Sequence, residues 1–86
     1  MKLISTPHFE KQLDKLTDIT AKRIYKKLND LLNNAANLDI KKLNATNEFR
    51  LRLGSYRIIF EYQSIENEIV ILLKHVEHRK DIYRKR

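Results

Sequence analysis

Three arginines surround the only glycine of this sequence, and their spacing could place three guanidinium groups on one surface. Residues 49–53 (Phe-Arg-Leu-Arg-Leu) alternate strictly between apolar and basic side chains, which predicts a half-buried strand. Gly54-Ser55 follows and suits a two-residue type II′ turn, whose first central position needs a positive φ. The segment from Tyr56 to Gln63 is therefore predicted to return as the partner strand of a hairpin.

That turn fixes the register of the hairpin. The opposed pairs are expected to be Leu53 with Tyr56, Arg52 with Arg57, Leu51 with Ile58, and Arg50 with Ile59. Like charges directly opposite each other destabilise a sheet by up to about 1 kcal/mol, so stability alone does not favour the Arg52–Arg57 pair. The planar fork of arginine fits phosphate, which predicts a polyanion site, most simply for RNA. The alternative is a solvated charge lattice in which Glu48 and Glu61 pair diagonally with Arg50.

A second group of polar residues follows the last apolar run of the sequence. If that strand ends near His75, then His78, Arg79 and Tyr83 can fold back beside the hairpin. Arg79 and Tyr83 are four residues apart and share one face of a helical turn. A tyrosine beside phosphate-binding arginines can stack on a base or exchange a proton, although Tyr83 could equally cover the sheet edge.

The elements that must position these residues form a short α+β pattern. Residues 1–5 are predicted to be a strand, and Thr6-Pro7 begins a helix over residues 7–17. Asp18 or Thr20 is expected to cap a second, longer helix. Strands are predicted at residues 48–53, 56–63 and 68–75, and residues 77–86 as a short helix or loose tail. The fold class is β-α-α-β-β-β, with two N-terminal helices packed on a small antiparallel sheet.

Composition narrows the classes of function. The 86 residues carry a net charge of +7, and this length predicts a single domain over 1–86. The charge favours nucleic acid, a membrane surface or an acidic protein as partner. There is no cysteine, and His75 and His78 lack a third ligand, so no metal site is expected. No glycine-rich phosphate loop and no signal-like N-terminal run is present, so we expect no cofactor and a cytoplasmic location.

Over nearly the whole chain the sequence resembles the RelE/ParE superfamily of toxins from type II toxin–antitoxin modules. The family's middle motif, aromatic-Arg-x-Arg-x-Gly-x-Tyr-Arg, is matched by residues 49–57, and its closing motif, His-Arg-x-x-x-Tyr, by residues 78–83. Lys41-Lys42-Leu43 adds to the likeness. Two helices on an antiparallel sheet is also the fold that this resemblance implies.

The resemblance implies one of two activities. RelE-like members are metal-independent endoribonucleases that cut mRNA in the ribosomal A site, and ParE-like members poison DNA gyrase. The RelE catalytic positions are all occupied here, by Arg50, Arg52, Arg57, Arg79 and Tyr83. The resemblance further implies RNA contacts by Lys41, Lys42, His78 and Arg84. Some RelE-like enzymes carry lysines where this chain has Arg50 and Arg52, and arginine cannot serve as a base, so these two are expected to act electrostatically.

The partners implied are mRNA, the ribosome and a cognate RelB-like antitoxin whose wrapping segment would be acidic, giving a hetero-oligomer. No membrane partner is expected. Proton transfer in an mRNA cut would fall to Tyr83 or His78. A third interpretation is a non-toxic member that only binds RNA or its antitoxin.

Overall fold

The computed structural model describes residues 1–78. Two helices and five strands follow one another along these residues. They are β1 (Lys2–Ser5), α1 (Pro7–Asp14), α2 (Asp18–Leu32), β2 (Ile40–Lys42), β3 (Glu48–Leu53), β4 (Tyr56–Ile65) and β5 (Glu68–His78). The predicted α+β fold, with two N-terminal helices on a small sheet, is confirmed.

Threonine side chains begin both helices. Thr6 accepts a hydrogen bond of 3.2 Å from the backbone N–H of Phe9, and Pro7 occupies the first helical position as expected. Thr17 caps α2, because its side chain accepts a hydrogen bond of 3.2 Å from the backbone N–H of Thr20. The expectation that Asp18 or Thr20 is the cap was wrong, because the residue before Asp18 already supplies the hydroxyl oxygen that the first turn needs.

The five strands form one sheet in the order β1-β5-β4-β3-β2. All neighbours are antiparallel except β1 and β5, which pair in parallel from Lys2 with Val70 to Ser5 with Leu73. The sequence analysis missed β2, whose three residues are all exposed and show no alternation. It also ended the last strand too early, because β4 supplies pairing partners for β5 as far as His78.

The β3–β4 hairpin has the predicted register. Arg52 lies opposite Arg57, and Leu53 lies opposite Tyr56 across the turn. Gly54 has a φ of +57°, the left-handed value that a two-residue hairpin turn requires there. The apolar members of the hairpin, Leu51 and Ile58, are fully buried under the helices. The arginines therefore lie on the opposite face of the sheet, which we call the outer face.

A β-bulge in β5 changes which side chains reach the outer face. Phe60 pairs with Leu73 and the preceding Ile59 pairs with His75, so Lys74 is an extra residue without an opposite partner. The extra residue shifts the alternation of β5 by one position. Beyond the bulge, Val76 points into the core, and the next residue points outward.

The core lies between the helices and the inner face of the sheet. It combines apolar side chains of both helices with those of three strands, namely Phe9, Leu13, Ile24, Leu28, Leu31, Leu51, Ile58, Phe60, Ile71, Leu73 and Val76. The helical residues recur at three- and four-residue spacing, as the sequence predicts. Within residues 1–78, neither helix combines the length and apolar character needed to cross a bilayer.

Candidate functional site

The outer face carries two directly opposed arginines, neither of which forms an ion pair within residues 1–78. Arg52 on β3 and Arg57 on β4 are directly paired in the register. Within residues 1–78, neither guanidinium has a carboxylate within 4.0 Å. Cross-strand neighbours have Cβ atoms about 5 Å apart, so these two cations repel each other. An anion placed between them would remove the repulsion and receive charge-assisted hydrogen bonds from both.

Arg50 lies on the same face but is held differently. Its guanidinium contacts the carboxylate of Asp39 at 3.3 Å, and its side chain is only 15% exposed. Asp39 lies just before β2, so the loop entering β2 fixes the position of Arg50. The alternative prediction that Glu48 and Glu61 pair with Arg50 was wrong. Both carboxylates are instead engaged by another cation.

That cation is Lys74, the extra residue of the bulge. Its ammonium group donates a hydrogen bond to Glu48 and lies 3.6 Å from Glu61, a carboxylate directly opposite Glu48. The hydrogen bond from Lys74 to Glu48 raises the pKa of Lys74 above its ordinary value of 10.5; partial burial opposes the shift, and the charge of Glu61 adds to it. Because Lys74 engages both carboxylates, the three arginines are left to form a separate cationic region.

The arginines line a cavity of about 240 Å³ together with residues that the β2 strand brings beside them. Lys41 pairs with Arg50 in the register and shares its face. The cavity wall consists of basic side chains and two neighbours, namely Lys41, Lys42, Leu43, Asn44, Arg50, Arg52 and Arg57. We call this the arginine cavity. The structure thus gathers five of the predicted site residues, all cationic, in one cavity that suits a phosphodiester.

Two titratable groups next to this cavity were missed from the sequence. Glu77 lies opposite Arg57 in the β4–β5 register, so Arg57 is flanked by a cation on one side and a carboxylate on the other. The Nε2 atom of His75 lies 3.4 Å from the Glu77 carboxylate. The bulge at Lys74 sets this arrangement, and no periodicity in the sequence indicates where a bulge falls.

His78 is not placed in the arginine cavity. Its ring contacts that of Tyr56 edge-to-face, with the ring centroids 4.8 Å apart, on the helix side of the sheet. A different cavity of about 240 Å³ is formed there by Gln12, Lys15, Leu16, Tyr56, Val76 and His78. The other predicted site residues, Arg79, Tyr83 and Arg84, lie outside the described residues.

Comparisons with solved structures reveal several close folds. The RelB–RelE antitoxin–toxin complex of Methanococcus jannaschii contains a chain with a TM-score of 0.73 and 30% identity, covering 95% of this chain and 96% of that one. A chain of the intact RelBE complex of E. coli has a TM-score of 0.66 and 26% identity, covering 88% of this chain and 93% of that one. A chain of the archaeal RelE–RelB complex of Pyrococcus horikoshii OT3 has a TM-score of 0.69 and 25% identity, covering 91% of this chain and 93% of that one. A search of curated protein sequences finds no match.

A family model gives the assignment. The model for the ParE toxin of type II toxin–antitoxin systems, parDE, matches residues 3–83, which includes every element of the fold after the first residue of β1. The M. jannaschii relative, which is 30% identical and is covered over 96% of its length, supports the same assignment. This chain therefore belongs to the RelE/ParE superfamily of type II toxin–antitoxin toxins.

Proposed function

We propose that this chain is a ribosome-dependent mRNA endonuclease that inhibits translation by cutting mRNA in the A site. The observation that carries the proposal is the directly opposed Arg52 and Arg57, which form no ion pair within residues 1–78 and share a cavity with three further cations. A sheet face that retains such repulsion is suited to a polyanion that relieves it. Three similar structures with identities of 25–30% contain RelE toxins, which favours the RelE-like activity.

The chemistry needs no metal ion. The ribose 2′-OH attacks the adjacent phosphorus in line, and the products are a 2′,3′-cyclic phosphate and a 5′-OH. Arg50 and Arg52 would hold the scissile phosphate and stabilise its developing charge, because a guanidinium keeps its proton at any physiological pH. Arg57 and, by the family motif, Arg79 would neutralise the pentavalent phosphate. Lys41 and Lys42 would contact the neighbouring backbone phosphates.

We propose a protein antitoxin as the second partner. The three similar structures named above are complexes with RelB antitoxins. A chain with a net charge of +7 attracts an acidic segment and accelerates its association. A segment that covers the arginine cavity would exclude RNA from it, so antitoxin binding and mRNA cutting are expected to be mutually exclusive in a toxin–antitoxin hetero-oligomer.

A second candidate function is inhibition of DNA gyrase without any nuclease activity. The observation that favours it is the family model, whose description is that of the ParE toxin. The two candidates predict different damage in cells. Gyrase poisoning leads to double-strand DNA breaks, whereas the nuclease leaves DNA intact and produces mRNA fragments with 5′-OH ends.

The deciding experiment is primer extension on an mRNA in a reconstituted translation system with purified ribosomes. We expect stops within the A-site codon for the wild-type chain, and strongly reduced stops for Arg52→Ala and Arg57→Ala. Arg23→Ala, which removes an exposed arginine from α2, is the matched control and should cut like the wild type. No cleavage by the wild-type chain, in an assay where a known relative cuts, would exclude the nuclease and favour gyrase inhibition.

The same assay tests the residues of the closing motif. Arg79→Ala should lose activity if that arginine neutralises the phosphate. Tyr83→Phe and His78→Ala test the prediction that one of these side chains transfers a proton. Equal cutting by both variants would rule out that prediction without affecting the nuclease assignment.

A further inference from the structure

A carboxylate lies at one end of the cationic row on the outer face. Arg52, Arg57 and Glu77 follow one another across β3, β4 and β5 as directly paired residues. Glu77 is the only acidic residue among the three, and its side chain is 35% exposed, so solvent and ligands can reach it. Cross-strand neighbours lie about 5 Å apart at Cβ, which puts the carboxylate within one side-chain length of an anion held by Arg57.

Glu77 is linked to an imidazole on its own strand. The Nε2 atom of His75 is 3.4 Å from the Glu77 carboxylate, and the His75 side chain is 31% exposed. The bulge at Lys74 brings both side chains to the outer face. The ring of His8, at the start of α1, lies edge-on to His75 at 6.2 Å. Within the described residues, the titratable and charged groups near Glu77 therefore include Arg57 from β4, His75 from β5 and, beyond the imidazole, His8 from α1.

We infer that Glu77 and His75, in place of the Tyr83 or His78 expected from the sequence, are the proton-transfer pair for RNA cleavage, an inference that rests on the nuclease function proposed above. Arginines alone leave the reaction incomplete, since a proton must leave the 2′-OH and another must reach the departing 5′ oxygen. The three arginines of the cavity keep their protons, and Lys41 and Lys42 are assigned above to the neighbouring backbone phosphates. Glu77 and His75 are the acid–base pair that adjoins this cavity within residues 1–78, whereas His78 lies on the helix side of the sheet.

The reaction starts with Glu77 ionised and His75 protonated. The 2′ oxygen gives its proton to a Glu77 carboxylate oxygen and forms the new bond to phosphorus. The bond between phosphorus and the 5′ oxygen breaks, and that oxygen takes the Nε2 proton of His75. The proton on Glu77 then passes across the 3.4 Å contact to the neutral imidazole, which restores the starting state.

The first test compares Glu77→Gln and His75→Gln with the wild-type chain in single-turnover cleavage of a short mRNA bound to purified ribosomes. Each variant is expected to slow cleavage by about 10²- to 10⁴-fold, the usual contribution of a general acid or base. Ribosome binding and the thermal unfolding midpoint should stay close to wild type. Glu68→Gln is the matched control, because it removes an exposed carboxylate from the other end of β5.

A modified substrate separates the two roles. In an mRNA whose scissile 5′ oxygen is replaced by sulfur, the leaving thiolate needs no proton. His75→Gln should therefore cut this substrate at close to the wild-type rate, while Glu77→Gln should remain slow. A residue with a purely structural role would show no such dependence on the leaving group.

Each result separates this inference from the function on which it rests. Wild-type cleavage together with normal cleavage by Glu77→Gln would overturn the proton-transfer pair and leave the nuclease function standing. If both variants cleave slowly and neither is restored on the substrate with a 5′ sulfur, the role of His75 as acid would be overturned. Absence of wild-type cleavage would overturn the nuclease function and the inference together.

Discussion

The side-chain oxygen of Gln12 in α1 accepts a hydrogen bond of 2.6 Å from the backbone N–H of Val76 in β5. Strand β1 pairs with β5 only as far as Leu73, so among residues 1–78 no strand lies beside the edge of β5 beyond that point. Thr6 also satisfies this edge, since its hydroxyl donates a hydrogen bond of 3.1 Å to the carbonyl of Lys74. Side chains of the cap and first helix thus replace a missing strand beside the residues that carry His75 and Glu77.

Replacing Gln12 with leucine should destabilise the protein. The substitution removes the acceptor and leaves the partly buried Val76 N–H without a partner, which costs about 1–3 kcal/mol. Chemical denaturation gives the loss in free energy of unfolding, and amide hydrogen exchange at Val76 should become faster. Gln12→Glu keeps an acceptor oxygen and is the control. Unchanged stability and exchange in Gln12→Leu would show that another group satisfies this amide.

Replacing Arg52 with glutamine should stabilise the fold while it weakens the proposed RNA cutting. Removing one of two opposed cations relieves a repulsion of a few tenths to about 1 kcal/mol. The gain should appear at low salt and shrink at about 1 M salt, where the Debye length falls to about 3 Å. Denaturation at the two salt concentrations measures it, with Arg23→Gln as control. A loss of stability at low salt would mean that Arg52 makes favourable contacts in the free protein.

The stability contributed by Lys74 should change with pH in the alkaline range. Its pKa is raised in the folded state, mainly by the hydrogen bond to Glu48, so the contribution is fully present below the unfolded value of 10.5. It is lost as pH rises through the higher folded value, where the ammonium group deprotonates. Lys74→Met should therefore be less stable than wild type at pH 7, because Glu48 and Glu61 then repel each other. Denaturation across the alkaline range should show this difference shrinking above about pH 10.5; a constant difference would contradict the assignment.

Alanine at position 54 should weaken the hairpin through its backbone alone. Gly54 has a φ of +57°, and a Cβ added there would meet no atom within 4 Å. The expected cost is about 1–2 kcal/mol for holding alanine in the left-handed region. Gly54→Asn should lose less, since asparagine tolerates this conformation. Equal unfolding free energies for the two variants would point to a cause other than φ.

The arginines of the outer face were predictable because they lie on a hairpin whose two strands are adjacent in the sequence. Two adjacent strands, one glycine and strict alternation determine the register, and the observed pairing of Arg52 with Arg57 is the predicted one. The same holds for the helices, whose apolar spacing placed Ile24 and Leu28 in the core. Local patterns carry these features because each depends on residues within a few positions of one another.

The rest of the site depends on contacts between distant residues. The Asp39–Arg50 ion pair and strand β2 arise where a loop meets a sheet edge, and no alternation marks them. Glu77 was predicted to belong to a tail because the sequence is polar and basic from that residue on, whereas pairing with β4 beyond the bulge at Lys74 keeps it in the strand. A bulge arises from competition between core packing and strand pairing, so the sequence pattern alone did not place Glu77 beside Arg57.

The parallel pairing of β1 with β5 also determines when the sheet is completed during synthesis. Lys2 cannot find its partner until Val70 has been made, so β1 and the helical hairpin of residues 7–32 emerge long before the strand that joins them to the rest. Pairing over such a sequence separation is slow to form. A truncated product that ends before residue 70 lacks both β5 and the site for β1. Premature termination before that point therefore leaves β1 and the β3–β4 hairpin without the strand that joins them, and the core between the helices and the sheet cannot be completed.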